Sequence, residues 1–456
     1  MTEGQHATLH DHLFPEDGLE AVAVLLCGRR KGERHRLIVR ETVLIPHDQC
    51  ERSVDRVKWS TDFLPSLLER ADRQGLAVLK IHGHTTLRTF SRIDDASDRA
   101  LFPSLHGWLG DEQPLGSVIM MKDGELIGRV YNEDGSFRFM ESHTVVGDSI
   151  KTWPAKATSK QVPSFGTRVA QSFGKGTFDR LTQMKIGVIG CSGTGSPVVE
   201  MLARNCVGKL LLVDPDRVEE KNLNRILNAT IHDARNGRFK VDMLAAAVRN
   251  MGLGTHVEVF ARSLFDCDVV EALADCDVLF GCMDSVDGRH LLNRLATYYS
   301  IPYFDLGVKL EADGAGGVDQ VCGSVHYLKP GGSSLLSRHQ YTAEQLRAAG
   351  LKRTDPGAYD DLLAEGYIKG VAEDRPAVIQ LNMLIASYAV NELLARLHPY
   401  RLDDNSDFAI RRISLSHGIH ETERDGEACP SLARHLGRGD VEPLLEWPEL
   451  SRIDRS

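Results

Sequence analysis

At 456 residues the chain is longer than one hydrophobic core sustains, so two or three domains are expected. Its 42% hydrophobic and 26% charged residues suit full globular cores, and no run approaches the roughly 18–20 apolar residues of a membrane helix. A net charge of −10 excludes a general nucleic-acid binder, and nine scattered cysteines with no C-x-x-C pair argue against a disulfide framework and for a reducing cytoplasm.

In chain order, the N-terminus carries His6, His10, Asp11 and His12 and does not read as a signal peptide. Residues 20–27 and 36–45 are β-branched and aliphatic, and a turn-rich stretch separates them, which predicts two strands. Phe63, Leu64, Leu67, Leu68 and Ala71 follow a helical period that Gly75 ends. Residues 76–81 form a strand delivering His82, and strands at 117–121 and 126–131 complete a mixed α/β domain over 1–150. Residues 151–165, with Pro154 and Pro163, read as a linker.

On a strand, His82 and His84 project from the same face. Two imidazoles so placed can hold one Zn²⁺, with a carboxylate ten residues on as the third ligand and the fourth position left for water. Glu20, at the head of the first strand, can serve as the base that water needs. His82-x-His84, Ser91-x-x-Asp94 and Glu20 together resemble the JAMM/MPN metalloprotease family of isopeptidases. The resemblance covers about residues 10–150, although Thr85 stands where the family usually has proline. It implies Glu20 as general base, His82, His84 and Asp94 as zinc ligands, and Ser91 as a stabiliser of the oxyanion. Glu41 is a rival base, and Asp95 and Asp98 are alternative carboxylates.

From residue 185 strands and helices alternate: strands at 185–189, 209–213, 257–260, 278–280 and 303–306, helices at 197–204 and 288–299. This predicts a Rossmann-like, doubly wound, mainly parallel sheet over 166–435. A polar excursion at 338–375 is expected to be mobile, an apolar helix follows at 377–397, and 436–456 forms a C-terminal tail.

The loop Gly190-Cys191-Ser192-Gly193-Thr194-Gly195 follows the first of these strands and opens a helix, a setting whose amides cradle phosphate. Gly190, Gly193 and Gly195 are its turn positions, and Asp214 at the next strand's end is placed for ribose hydroxyls. Arg225 and Lys240 suit a triphosphate, and Asp284 suits Mg²⁺. Asp214-x-Asp216-x5-Asn222-Leu-x-Arg225, with Asp284-Ser-x3-Arg289, resembles the ThiF/MoeB and ubiquitin-activating family over roughly 165–430. That resemblance implies ATP- and Mg²⁺-dependent adenylation of the C-terminal glycine of a small ubiquitin-like protein. Asn222, Arg225 and Lys240 would bind phosphates, Asp284 would bind Mg²⁺, and Arg168 would reach the γ-phosphate of a homodimer mate.

Relatives often carry two C-x-x-C pairs for a structural zinc. Here Ser333, Ser334 and Ser337 stand at the first place and Cys429-Pro430-Ser431-Leu432 at the second, so no such zinc is expected. The excursion has no cysteine, and no obligatory thioester is expected; Cys322 and Cys429 are the residual candidates. The sequence therefore reads as an isopeptidase joined to an activating enzyme, with a conjugating-enzyme-like protein as a further partner. The alternatives are a non-catalytic docking domain at the N-terminus, or activation of a sulfur carrier.

Overall fold

The computed structural model describes residues 1–109, 113–155, 161–312, 317–364 and 378–452. The chain forms two compact units, Met1–Ser159 with Leu436–Asp440, and Lys160–His435 with Val441–Ser456.

The first unit opens with α1 (Glu3–Leu13), where Thr2 and Gln5 cap each other's backbone amides. Next come β1 (Val22–Lys31), β2 (His35–Leu44) and a short pair, β3 (Cys50–Arg52) with β4 (Val57–Trp59). They are followed by α2 (Leu64–Gln74), β5 (Ala77–His84), α3 (Arg92–His106), β6 (Leu115–Met121) and β7 (Leu126–Tyr131). β8 (Phe137–Phe139) and the pair β9 (Ser142–Val146) and β10 (Ile150–Pro154) close the run. The main sheet has the order β2-β1-β5-β6-β7-β8, and only β5 and β6 run parallel among these described strands. Alternation gives it two faces. Val22, Val24, Leu26 and Val78 pack under α2 and α3 through Leu67, Leu68, Phe102 and Leu105. Ala23, Leu25, Ile81 and Met120 pack against Leu9 and Leu13 of α1.

The second unit begins with α4 (Thr167–Leu181), β11 (Lys185–Ile189), α5 (Gly195–Arg204) and β12 (Lys209–Val213). α6 (Ile231–Arg235), α7 (Lys240–Met251), β13 (His256–Phe260), α8 (Cys267–Ala274), β14 (Val278–Gly281) and α9 (Val286–Tyr299) continue the alternation. β15 (Tyr303–Ala312) and β16 (Val318–Leu328) lead to α10 (Ala343–Thr354), α11 (Pro356–Ala364) and α12 (Ile379–Leu397). β17 (Ile410–Ser414), β18 (Ile419–Glu423) and α13 (Pro430–Ala433) complete the unit's main elements. The sheet order is β13-β12-β11-β14-β15-β16-β17-β18. The first five strands are parallel, and the rest extend the sheet antiparallel. Order reverses between β11 and β14, so the loops after these strands flank a topological switch point, where ligands bind in open α/β sheets.

Three stretches differ from expectation. Residues 343–354 and 356–364 of the polar excursion are helical; Thr342 and Gln345 cap α10, and Arg353 Nε reaches Asp287 at 2.7 Å. Residues 365–375 lie outside the described residues. Of the linker, 151–154 pair with β9, whereas 156–160 are not among the described residues. The tail divides, Leu436–Asp440 belonging to the first unit and Val441–Ser456 to the second.

Candidate functional site

In the first unit, β5 brings His82 and His84 to the face that α3 covers. His82 Nε2 lies 2.9 Å from Asp94 Oδ1, His84 Nε2 3.3 Å from Asp94 Oδ2, and the two Nε2 atoms are 3.1 Å apart. Among the described residues these form the one group of three potential His, Cys or carboxylate ligands. His84 Nδ1 sits 2.9 Å from the Leu87 carbonyl oxygen, which can only accept, so this nitrogen carries the proton. A neutral His84 then turns its Nε2 lone pair toward the Asp94 carboxylate. Two acceptors in contact repel unless a proton or a cation lies between them. A tetrahedral zinc with bonds of about 2.0–2.1 Å separates its ligand atoms by roughly 3.3 Å, close to these spacings. The residues fit the ion.

Burial works against charge on all three groups. It pulls the His82 imidazole below its ordinary value, against the Asp94 contact. At His84 burial is outweighed by hydrogen bonds to Asp94 and Leu87, and the value rises. At Asp94 burial is outweighed by both histidines, which hold the carboxyl well below the usual range. Asp94 is the third residue of α3: Ser91 Oγ accepts from its amide at 3.1 Å, and its carboxylate accepts from the Ser91 amide at 2.6 Å. Ser91 keeps its hydroxyl proton free to donate.

Glu20 lies two residues before Val22, which pairs with His82, so alternation puts it on the triad's face. With His82, Asp94, Trp59 and Trp108 it lines a cavity of about 890 Å³. Burial pushes its carboxyl up to about 7. Glu41 pairs with Leu26, four residues along β1 from Val22 (about 13 Å at strand rise), and bonds Arg70 at 3.0 Å. The other two carboxylates are also taken. Asp95 bonds Arg129 at 2.6 Å, and Asp98 meets Lys80, Arg129 and Tyr131. The network of Lys80, Asp98 and Arg129, which holds α3 on the sheet, has no short-range sequence signal.

In the second unit the glycine loop runs from β11 into α5. Gly190 has φ +89°, and a Cβ there would lie 2.5 Å from the Cys282 carbonyl oxygen, so only glycine fits. A Cβ at Gly195 would collide with the Gly190 carbonyl, and one at Gly193 with Asn382. Among the described residues, nothing accepts from the amides of Ser192, Gly193 and Thr194. Asp214, at the end of β12, is buried and accepts from the amides of Cys191 at 2.7 Å and Asp216 at 2.9 Å. Burial raises its carboxyl, against Lys240 and these amides. Lys240, the first residue of α7, lies 2.7 Å from Asp216 and 3.9 Å from Asp214.

These groups gather at the carboxyl ends of the parallel strands β11 and β12. Asn222 is buried and its side-chain oxygen accepts from the Glu219 amide at 3.1 Å. Arg225 bonds the Lys221 carbonyl at 3.0 Å and Asn224 at 3.1 Å. Asp284 is exposed in the loop after β14, at the same carboxyl end of the sheet, and Cys282 and Met283 just before it lie against Gly190. Arg168 is exposed and bonds Gln171, and among the described residues no contact links it to the loop. Arg289 of the Asp284-Ser-x3-Arg289 motif anchors α9: its Nε donates to fully buried Asp305 at 2.9 Å, and Tyr303 donates to the same carboxylate at 2.8 Å. Asp305, at the level of Gly281 in the sheet, was not legible as a site element.

Where relatives carry cysteine pairs, Cys429 Sγ lies 3.0 Å from Ser334 Oγ and 3.2 Å from Ser431 Oγ. Burial is outweighed by these bonds and the thiol falls below its ordinary value. Arg424 and Arg434, close to it in sequence, engage Asp407 and His435. Burial raises the Cys322 thiol on β16.

A glycine loop opening a helix, beside a buried carboxylate at the end of the neighbouring strand and at the point where strand order reverses, is an arrangement suited to a nucleotide phosphate. Residues 166–419 match the ThiF family, over half of the chain, and the chain belongs to that family. It is 27% identical to ubiquitin-like modifier-activating enzyme 5 of Bombyx mori over 171 residues, 35% of this chain and 41% of that protein. SAMP-activating enzyme E1 of Haloferax volcanii is 34% identical over 124 residues, 27% and 45% of the two chains. Adenylyltransferase and sulfurtransferase MOCS3 of Mus musculus is 35% identical over 115 residues, 25% and 24%. The chain spans less than half the length of these relatives. The solved structure of E. coli MccB with ATP is 16% identical, with a TM-score of 0.43 over 61% of this chain and 75% of that one. No helix among the described residues is long and apolar enough to cross a membrane.

Proposed function

We propose that the second unit adenylates the C-terminal glycine of a small ubiquitin-like protein. The observation that carries this reading is the open glycine loop beside the buried pair of Asp214 and Lys240. The loop amides and Lys240 would take the phosphates, Asp214 the ribose, Asn222 and Arg225 the outer phosphates after rearrangement, and Asp284 would hold Mg²⁺. Mg²⁺ there neutralises phosphate charge. The glycine carboxylate oxygen attacks the α-phosphorus, the bond to the β-phosphate bridging oxygen breaks, and pyrophosphate leaves. A partner's thiol or an amine then attacks the acyl carbon of the adenylate, the bond from that carbon to the phosphate oxygen breaks, and AMP leaves. Arg168, exposed and bonded to Gln171, would serve the nucleotide of the mate in a homodimer. Purified protein with its modifier should exchange labelled pyrophosphate into ATP, and Asp284→Ala should reduce exchange at least a hundredfold with the fold retained. Undiminished exchange in that variant rules out the magnesium assignment. The sulfurtransferase-linked relatives favour a second reading, activation of a sulfur carrier, which a thiocarboxylate product would identify.

For the first unit we propose a zinc-dependent isopeptidase of the JAMM type that trims or removes the same modifier. Its support is the convergence of His82, His84 and Asp94 beside Glu20 in a cavity. Zinc held by these ligands lowers the pKa of a bound water toward neutrality. Glu20, lining the same cavity, would take the water's proton and return it to the leaving amine, while the Ser91 hydroxyl would donate to the oxyanion. Metal analysis of the full chain should find one zinc, lost in the double variant His82→Ala/His84→Ala. Zinc retained by that variant refutes the ligand set.

A further inference from the structure

Asn382 stands on α12 among Leu381, Ile385, Ala386 and Ala389, all buried. Its own side chain is 1% exposed, and among the described residues its Nδ2 meets no acceptor. Its backbone is satisfied, the amide bonding the Val378 carbonyl at 3.2 Å. The side-chain amide lies directly against Gly193, where any Cβ would strike it. Glycine at 193 thus lets a buried donor approach the loop. An unmet buried donor carries the full desolvation penalty of its group. The loop it touches presents amides of Ser192, Gly193 and Thr194 that also lack acceptors among the described residues, at the N-terminus of the ten-residue α5. Donors from two separate segments, and the positive end of a helix, thus meet at one place and call for an anion.

We propose that the Asn382 side-chain amide is a phosphate-binding group of the nucleotide site, donating to an oxygen of the phosphate seated on the Gly190–Gly195 loop. This rests on the adenylation reading of the same loop. Asn382 completes from α12 a cradle that α5 and the loop begin, which ties the last long helix of the unit to nucleotide binding. An amide suits this position better than lysine or arginine. It is neutral, so it can remain buried in the free protein without a counter-charge.

The test compares MgATP affinity and unfolding of the nucleotide-free full chain for wild type, Asn382→Leu and Asn382→Asp. Leucine has a similar volume and no polar atom, so the nucleotide-free fold should unfold at the same temperature or higher, while MgATP affinity falls roughly tenfold or more. Aspartate keeps the shape but turns a carboxylate toward the phosphate, and its loss should be larger. A residue serving only to hold α12 on α5 behaves in the opposite way, losing stability in the leucine variant. Either that result, or MgATP binding within twofold of wild type in the aspartate variant, overturns the proposal and leaves the adenylation reading intact. Failure of the wild-type chain to bind MgATP removes both.

Discussion

His326 is fully buried on β16, and neither ring nitrogen has a hydrogen-bond partner among the described residues. Burial pushes its imidazole down to about 3; Asp305, its register partner, pulls upward, and Arg338, Arg289 and Arg412 add to the fall. The folded-state value lies below the unfolded one, so the unfolded chain takes up the proton first on acidification. The stability linked to this group is complete above about 6.5 and is lost as pH falls toward 3. At pH 5 the loss is about 2 kcal/mol. His326→Leu should remove it: relative to wild type, the variant gains about that much between pH 7.5 and 5.0, read from urea midpoints. A difference that does not change with pH argues against a neutral buried imidazole. At this scale the sequence discloses groups whose neighbours are close along the chain, such as His82 with His84 or Ser91 with Asp94. It is silent on Asp305, His326 and Asn382, because each acquires its setting from an element distant in sequence.

At the scale of elements, α3 does two things: its first turn presents Asp94, and one turn later Asp98 is fully buried against the sheet. Asp98 meets Lys80 of β5 and Arg129 and Tyr131 of β7, with Arg129 Nη2 at 2.8 Å and Tyr131 OH at 2.9 Å. Asp98→Ala strands two buried cations and should cost about 3–5 kcal/mol. Because α3 then loses its anchor, the zinc proposed for the first unit should fall as well. Asp95→Ala, which removes a carboxylate about one-third exposed from the same Arg129, should cost less than about 1 kcal/mol and retain the metal. Denaturant unfolding and metal analysis of both variants check this ordering, and equal losses would contradict it. Strand alternation was readable from residue type, and so were the glycine loop and the helix Leu64–Gln74. The polar excursion was not, since α10 has no strong apolar stripe. Its legible signal was the capping pair of Thr342 and Gln345.

Across the whole molecule, the sequence changes from a mixed to an alternating βα pattern and the structure forms two compact units, but the course of the C-terminal stretch was not legible. Nothing in residues 436–440 marks them as part of the first unit, because their backbone and side-chain partners lie on β1, distant in sequence. Gly439 bridges to Arg29, and Asp440 accepts from the Lys31 amide at 2.8 Å and pairs with Arg30 at 3.5 Å. Three glycines permit the approach. Gly437 and Gly439 have φ of +67° and +69°, and a Cβ on Gly437 would lie 2.5 Å from the Val39 carbonyl oxygen. A Cβ on Gly28 would lie 2.6 Å from the Arg438 backbone, and closer still to the Gly437 carbonyl. Gly28→Ala therefore cannot keep both β1 and this segment in place. β1 is buried and paired on both sides, whereas residues 436–440 are short, so the segment should leave. Trypsin should then cut after Arg438 at least tenfold faster in Gly28→Ala than in wild type, with MgATP affinity unchanged because the nucleotide loop lies in the other unit. Equal cleavage rates would show that the segment is not held by this contact, and a loss of MgATP binding would show that the two units are coupled through it.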